Sequence, residues 1–332
     1  MQQGGVQLSV MWDGERIAGA RVNVRRPLAA QLLQGRPVAE AISLVPRLFS
    51  LCGVAQGAAA RLATTAAQEG DCATIAEALR REVAREAIGE HLWRLLLDWP
   101  ALSGRAQEKE EFLRWRKRLL AVKTPQEEAL LAQDLLQWLP SLAEFPCSER
   151  AVTAPAQLLP WRDAAGWAAA GIDAAFAAKP TLAGQPAETG ALARRAENVA
   201  VSPLLTAGRR VAARLAARRA DLEFLTQALL EPSLLCGWLD GASAGDGVGV
   251  ARVETARGLL LHLTQVKDGR VEAYVIVAPT EWNFHPQGAF VGEIVGSPAA
   301  TRDEAEMLAR RLTLSLDPCV SYEVVVEEHG NA

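Results

Sequence analysis

Residues 314–330 read LSLDPCVSYEVVVEEHG. The segment before them is helical, with Thr301-Arg302-Asp303-Glu304 as its capping box and Leu308 and Leu312 on its buried side. That helix delivers the chain straight into an Asp317-Pro318-Cys319 turn. A second thiol three residues on would complete a metal-binding pair, and the sequence has Tyr322 there instead. One thiol in a turn decides nothing alone, so its meaning rests on what the rest of the chain brings to it.

The bounds come from composition. The chain has 332 residues of which 50% are hydrophobic, enough to bury a sizeable core. Thirty-five basic against 39 acidic residues give a net charge of −4. The two signs are interspersed, so no basic face argues for nucleic acid or a membrane surface, and small molecules or proteins are the expected partners. The five cysteines, Cys52, Cys72, Cys147, Cys236 and Cys319, are widely spread and never spaced as C-x-x-C. That usage fits a reducing compartment. No apolar run reaches the roughly 18 residues of a spanning helix, and MQQGGVQLSVMWDG lacks a basic n-region and an apolar h-region. A cytoplasmic protein is expected.

Outward from the C-terminal turn, the chain divides by pattern. VQLSVMW and RIAGARVNV flank Asp13-Gly14, a dipeptide that favours a two-residue hairpin turn, so residues 1–26 read as an N-terminal hairpin. Residues 27–235 read as mainly helical. In AREAIGEHLWRLLLDW, Ala84, Ile88, His91, Leu92, Leu95 and Trp99 fall on one face, and Pro100 is expected to stop the run. Thr124-Pro125-Gln126-Glu127 is a capping box opening the helix of Leu131, Leu135 and Trp138. Ser202-Pro203 is expected to start a helix running to Glu231-Pro232, and residues 151–190, rich in Ala, Pro and Gly, suit a long connection. GASAGDGVG reads as a flexible loop. Residues 248–332 then read as strands, with a hairpin signal at Lys267-Asp268-Gly269, followed by the helix and the Asp-Pro-Cys turn.

Four stretches carry candidate chemistry. In LCGVAQGAAARLATTAAQE, residues 51–69, Cys52-Gly53 opens a helix, where backbone N–H groups push a thiol towards thiolate. The plain alternative is a buried small hydrophobe. In ETARGLLLHL, residues 254–263, Arg257 lies in apolar surroundings and needs an anionic partner, either a core carboxylate or a bound anion. In VAPTEWNFHP, residues 277–286, Thr280 places a hydroxyl at the end of an apolar strand, able to cap a turn or donate to a ligand. His262 and His285 lack a second ligand at turn or helix spacing and read as core or surface histidines. The fourth stretch is Asp317-Pro318-Cys319. No Ser/His/Asp, C-x-x-C or phosphate-loop signature supports an independent enzyme.

In this order the stretches resemble the large subunit of nickel-iron hydrogenases, whose motifs run R-x-C-G-x-C-x-x-x-H, A-P-R-G-x-x-x-H, P-T-x-W-N-x-x-P-R and D-P-C-x-x-C-x-x-H. Here they stand as SLCGVAQGAA, TARGLLLH, PTEWNFHPQ and DPCVSYEVV, with ISLVPRLFSLCG as lead-in and IGEHLWRLLLDWP as the helix after the first motif. The resemblance covers most of the chain and is weakest from 145 to 235. It implies a single domain over 1–332 of the α+β class, mainly α: a reduced large-subunit-like fold in which a helix bundle carries a small antiparallel sheet from the terminal segments.

The departures shape what the resemblance implies. Family members hold nickel and iron with four cysteines, and this chain matches only the first of each pair, Cys52 and Cys319, with Ala55 and Tyr322 at the second positions. Alanine cannot ligate, and a phenol is a poor substitute for a thiolate. Ser50 replaces the arginine of the first motif, Ala59 and Val325 replace histidines, and Ala256 replaces the proline before Arg257. Arg257 and Thr280 match the residues that contact the iron's cyanides in the family. That combination resembles the HupK/HoxV group of hydrogenase accessory proteins. It implies a scaffold without hydrogenase activity or nickel, holding the Fe(CN)2CO fragment transiently between Cys52 and Cys319. Arg257 and Thr280 donate to cyanide and Asp317 orients the turn. HypC-type iron chaperones, HypD-type scaffolds and the hydrogenase large subunit are the implied partners. The retained thiols match nickel-terminal positions, so the iron shifts to them, docks through its cyanides, or is absent from a relic site. The alternative is a cofactor-free interaction module with a large-subunit-like surface. Any shared site requires Cys52 and Cys319 to converge.

Overall fold

The structure is a computed structural model that describes residues 4–25, 28–49, 51–70, 72–145 and 149–328. Ser50 and Cys147, both noted in the sequence, and residue 26 at the hairpin boundary lie outside the described residues.

The chain opens with strands β1 (Gly5–Trp12) and β2 (Ile17–Arg25), antiparallel as the pattern expects. Val6, Leu8 and Val10 alternate into the core at the strand period of two. The turn differs from the two-residue form that Asp13-Gly14 favours. Trp12 pairs with Ile17 after a register shift at Met11/Trp12, leaving residues 13–16 as the loop. The Asp13 carboxylate accepts the N–H groups of Glu15 and Arg16 at 3.0 and 2.9 Å, and that Asx turn stabilises the longer loop.

The helical part comprises α1 (Val38–Leu48), α2 (Gly53–Gln68), α3 (Ala73–Trp93), α4 (Lys109–Ala121), α5 (Pro125–Trp138) and α6 (Arg210–Leu230), with shorter helical turns between them. The predicted face of α3 is buried throughout, from Ala84 to Trp99. Its run does not stop at Pro100. Arg94–Asp98 continues as a π-helical turn and Trp99–Leu102 as a last α turn, which proline tolerates because it sits in that segment's first turn. The Thr124 capping box forms as read. The helix expected from Ser202 to Glu231 is two helices, because Gly208 at φ 72° breaks the run. The second, α6, has its first N–H groups held by Glu149 at Val211 and Ala212, 2.8 and 2.9 Å.

Strands β3 (Leu239–Gly245), β4 (Val248–Thr255), β5 (Gly258–Lys267) and β6 (Arg270–Val277) form an antiparallel sheet in sequence order. GASAGDGVG, read as a flexible loop, is most of β3, a two-residue turn and the start of β4. Gly241 and Gly249 at its two ends are there for contact, while Ser243–Asp246 between them are exposed. A Cβ at Gly249 would stand 2.0 Å from the Ala63 carbonyl oxygen on α2, so only glycine lets the sheet press on that alanine-rich helix. The turn at Asp268-Gly269, both at positive φ, closes β5 on β6 as the sequence indicates.

Helices α7 (Pro279–Asn283) and α8 (Arg302–Leu316) follow, and β7 (Ser321–Glu328) ends the described chain. Thr301 caps α8 by accepting the Glu304 N–H. The terminal segments do share a sheet, of order β2-β1-β7, but β7 joins β1 in parallel and the strands of 239–277 stay in the other sheet. Parallel pairing demands a long crossover, and nearly the whole chain supplies it. Asp317, between α8 and β7, adopts left-handed φ 56°.

Candidate functional site

Four separated segments meet beside the C-terminal end of α8. Cys52 is the N-cap residue of α2 and Arg257 sits in the tight β4–β5 turn, where Thr255 pairs with Gly258. Thr280 lies in the first turn of α7, and Cys319 follows the αL residue Asp317 and Pro318. Gly258 at φ 130° permits the crossing of the 189–190 backbone, since a Cβ there would lie 2.7 Å from the Gly190 nitrogen. Asn283 fastens the assembly. Its amide donates to the carbonyls of Arg257 and Leu316 at 3.3 and 3.2 Å, and its oxygen accepts the Thr189 N–H at 2.9 Å. Trp282, from the same turn, packs edge-on against Trp167 and Phe176. The W-N pair of PTEWN thus locks the turn in place.

Cys52 and Cys319 lie within electrostatic reach of each other, and Arg257 within reach of both sulfurs. The Thr280 hydroxyl accepts the Cys319 N–H at 3.1 Å and lies 2.9 Å from its sulfur. Having accepted from the backbone, that hydroxyl has its own hydrogen to donate, to the sulfur or to a ligand beside it. At Cys52, burial works against the push of the helix N-terminus towards thiolate. The Glu86 carboxylate takes the first-turn N–H groups of Val54 and Ala55, at 2.8 and 2.9 Å, and leaves less of the helix field for the sulfur. Burial then pushes the Cys52 thiol well above its ordinary range, with the charges of Cys319 and Glu86 adding to it. Burial likewise raises Cys319, against the opposing hydrogen bond of Thr280 and the charge of Arg257. Burial thus favours the thiol form of both sulfurs over the thiolate.

Of the two partners open to Arg257, the structure supplies carboxylates. Its guanidinium donates to Glu90, and its Nε stands 3.3 Å from Asp317, an ion pair by distance whose hydrogen is poorly aimed. Asp317 is the hub. Arg94 Nε donates to one carboxylate oxygen at 2.7 Å and Arg218 to the other at 2.8 Å, while Arg94 also reaches the Pro318 carbonyl at 3.3 Å. Burial opposes the Asp317 charge, but the three guanidinium groups of Arg94, Arg218 and Arg257 overcome it and hold the carboxyl well below the usual range.

The network continues inward. Arg218 donates to His91 Nδ1 at 3.2 Å, so the ring's proton is on Nε2 and is donated to Asp221 at 2.9 Å. Burial pushes His91 down to about 4, against the pull of Asp221, so the ring is neutral at pH 7. Arg194 and Arg195 hold Asp221 from its far side, at 2.6 and 2.9 Å. His262 is a core histidine between Tyr274 and Gln56, and His285 is buried with its Nδ1 accepting the Gln287 N–H.

Sequence reading missed Glu86, Glu90 and Arg94, which recur every fourth residue along one face of α3 and its π turn. That spacing was legible, but charges at helical spacing are ordinarily a solvated face. Ala55 and Ala59, at the positions where the resemblance has a second thiol and a histidine, are fully buried in α2, and Tyr322 on β7 lies within the electrostatic reach of Arg94 and Asp317. Among the described residues no group of three or more His, Cys, Asp or Glu side chains is arranged to hold a metal ion. A cavity of about 350 Å³ flanks the Cys52 end, walled by Val54, Glu86, Glu90, Trp93 and Phe112.

The fold is of the hydrogenase large-subunit type. A family model for nickel-dependent hydrogenases matches residues 236–324. The Ni-Fe-Se hydrogenase of D. vulgaris Hildenborough, in its as-isolated oxidized state, superposes with a TM-score of 0.65 over 93% of this chain and 94% of that one, at 15% identity. Hydrogenase expression/formation protein HupK of Rhizobium leguminosarum bv. viciae is 34% identical over 94% of this chain and 93% of its own length. Hydrogenase expression/formation protein HoxV of Cupriavidus necator is 31% identical over 92% of each. The chain belongs to the HupK/HoxV family of hydrogenase expression/formation proteins. Among the described residues no helix is long and apolar enough to cross a membrane.

Proposed function

We propose that this protein is a scaffold in hydrogenase assembly that takes up the Fe(CN)2CO fragment as cargo, holds it transiently and passes it to the large subunit, without turning over hydrogen itself. The observation that carries this reading is the meeting of Cys52, Cys319, Arg257 and Thr280 from four separate segments. The two thiols ligate iron once their protons leave, so loading is coupled to proton release and favoured by higher pH. The Thr280 hydroxyl and the Arg257 guanidinium are donors of the kind that cyanide nitrogens on an anionic complex accept. Asp317 keeps Arg257 and the Cys319 turn in register. With Ala55 and Tyr322 where bridging thiols would stand, the site takes one metal and not a nickel beside it. A HypC-type iron chaperone and a HypD-type scaffold are the partners that deliver the cargo, in the cytoplasm.

A second reading has its own support. Arg257 is already paired with Glu90 and Asp317, and burial favours the thiol form of Cys52 and Cys319. That favours a cofactor-free module whose large-subunit-like surface binds the assembly factors. Infrared spectra of the full chain purified with the maturation proteins separate the two. Cyanide and carbonyl bands that disappear in Cys52→Ala and Cys319→Ala support the carrier. Bands retained by both variants exclude the thiols as ligands, and a protein without bands that still binds its partners supports the module.

A further inference from the structure

A second cavity, of about 280 Å³, opens on the other side of the buried network, and its walls include Trp161, Arg162, Arg194, Arg195, Trp238 and Arg252. Aromatic faces hold the guanidinium planes in place. Arg195 lies 3.6 Å above the Phe224 ring, Arg194 4.9 Å above Trp238 and Arg252 5.3 Å above Trp161. The charges do not balance locally. Asp221 serves Arg194, Arg195 and the neutral His91, while Glu254 serves Arg194 and Arg252. With Asp240 counted, three carboxylates answer buried Arg252 and half-buried Arg194 and Arg195, and Arg162 adds a fourth positive charge to the wall. Asp240 stands 3.6 Å from Arg252.

Three N–H donors in these walls have no acceptor among the described residues: Arg195 Nη2, Arg252 Nε and Trp238 Nε1. Arg252 and Trp238 are 1% and 5% exposed, so their donors are cut off from bulk water. Leaving such groups unmet is costly, and an excess of guanidinium charge adds to the cost. An anion with several acceptor oxygens answers both at once. The rings are already covered by arginines, which leaves the guanidinium edges rather than a stacking face for the ligand.

We propose that this cavity is a binding site for a small oxyanion, a phosphate or a carboxylate, held by Arg195, Arg252 and the Trp238 indole. The inference does not rest on the cargo reading, and its test requires no iron. Titration calorimetry on the full chain with inorganic phosphate and with citrate, against sodium chloride at matched ionic strength, is expected to show one saturable site. The tighter of the two probes identifies the ligand's anionic group. Trp238→Phe removes a donor that no described residue accepts from while keeping an aromatic ring under Arg194, so the variant folds. It is expected to weaken binding about tenfold, as is Arg195→Gln. Cys236, an exposed thiol in the cavity wall, reports occupancy, and saturating ligand slows its alkylation in peptide mapping. Binding no better than that of chloride overturns the proposal. So does a Trp238→Phe protein that binds both probes as wild type does, or a Cys236 alkylation rate that neither probe changes.

Discussion

Replacing Asp317 with asparagine removes one negative charge from the point where Arg94, Arg218 and Arg257 meet, and changes little else. Asparagine has the same shape and tolerates the left-handed backbone at φ 56°. The loss is therefore electrostatic. Asp317 is 3% exposed, so the three guanidinium groups keep their burial and lose their shared counter-ion, with Glu90 and Asp98 left as ion-pair partners of Arg257 and Arg94. Breaking a buried pair by removing one partner costs about 3–5 kcal/mol. Against a total stability of roughly 5–15 kcal/mol, such a loss is easily resolved by urea unfolding followed by circular dichroism. The sign with pH is also fixed. The folded-state pKa of Asp317 is depressed, so its contribution is fully present above the ordinary carboxylate range and lost as the solution is acidified through the folded value. Wild type and Asp317→Asn should therefore converge in acid and stand furthest apart at neutral pH. Arg218→Met, which removes one of the uncompensated charges, should recover part of the loss in the double variant. A difference below about 1 kcal/mol at pH 7 refutes the hub, because an exposed pair costs that little.

Glu86 gives the opposite pH dependence: burial raises its carboxyl to about 7, so the folded state holds a proton that the unfolded state releases, and stability falls by roughly 3 kcal/mol between about pH 4.5 and 7. Glu86→Gln should flatten that part of the urea-midpoint profile, and an unchanged slope removes Glu86 as its source. Gly249→Ala should destabilise by more than about 3 kcal/mol because the new methyl meets α2 backbone, whereas Gly292→Ala, with open space around it, should stabilise by about 0.5–1 kcal/mol. Equal effects in thermal melts would refute the sheet-on-helix contact. Iodoacetamide near pH 8 should label exposed Cys236 well before Cys52 and Cys319, whose thiolates are suppressed. Peptide mapping that finds Cys52 labelled first contradicts its raised pKa.

Local signals carried far in this chain because the physics behind them is local. The alternation of Val6, Leu8 and Val10, the Thr124 and Thr301 caps, the Asp268-Gly269 turn and the buried face from Ala84 to Trp99 each depend on residues within a few positions. GASAGDGVG misled for the complementary reason. Glycine and alanine signal mobility in isolation, and only the approach of α2 to Gly241 and Gly249 gives those glycines a packing role in the sheet. The same holds for the break at Gly208, where the chain has a tertiary use for positive φ.

By itself the sequence determined which residues could do chemistry: Cys52, Arg257, Thr280 and Cys319, with their missing companions at Ala55 and Tyr322. Hydrophobic period and capping, written residue by residue, also marked the helical and strand segments, and the motif resemblance implied the mainly helical α+β class. Only the tertiary structure decided what state those residues are in. Charge and pKa depend on burial and on partners far away in the chain, so Glu86 could cap α2 against the sulfur, Glu90 could claim Arg257, and Asp317 could gather three arginines from three elements. The parallel place of β7 beside β1 is decided in the same way, by a crossover of nearly the whole chain that no local window contains.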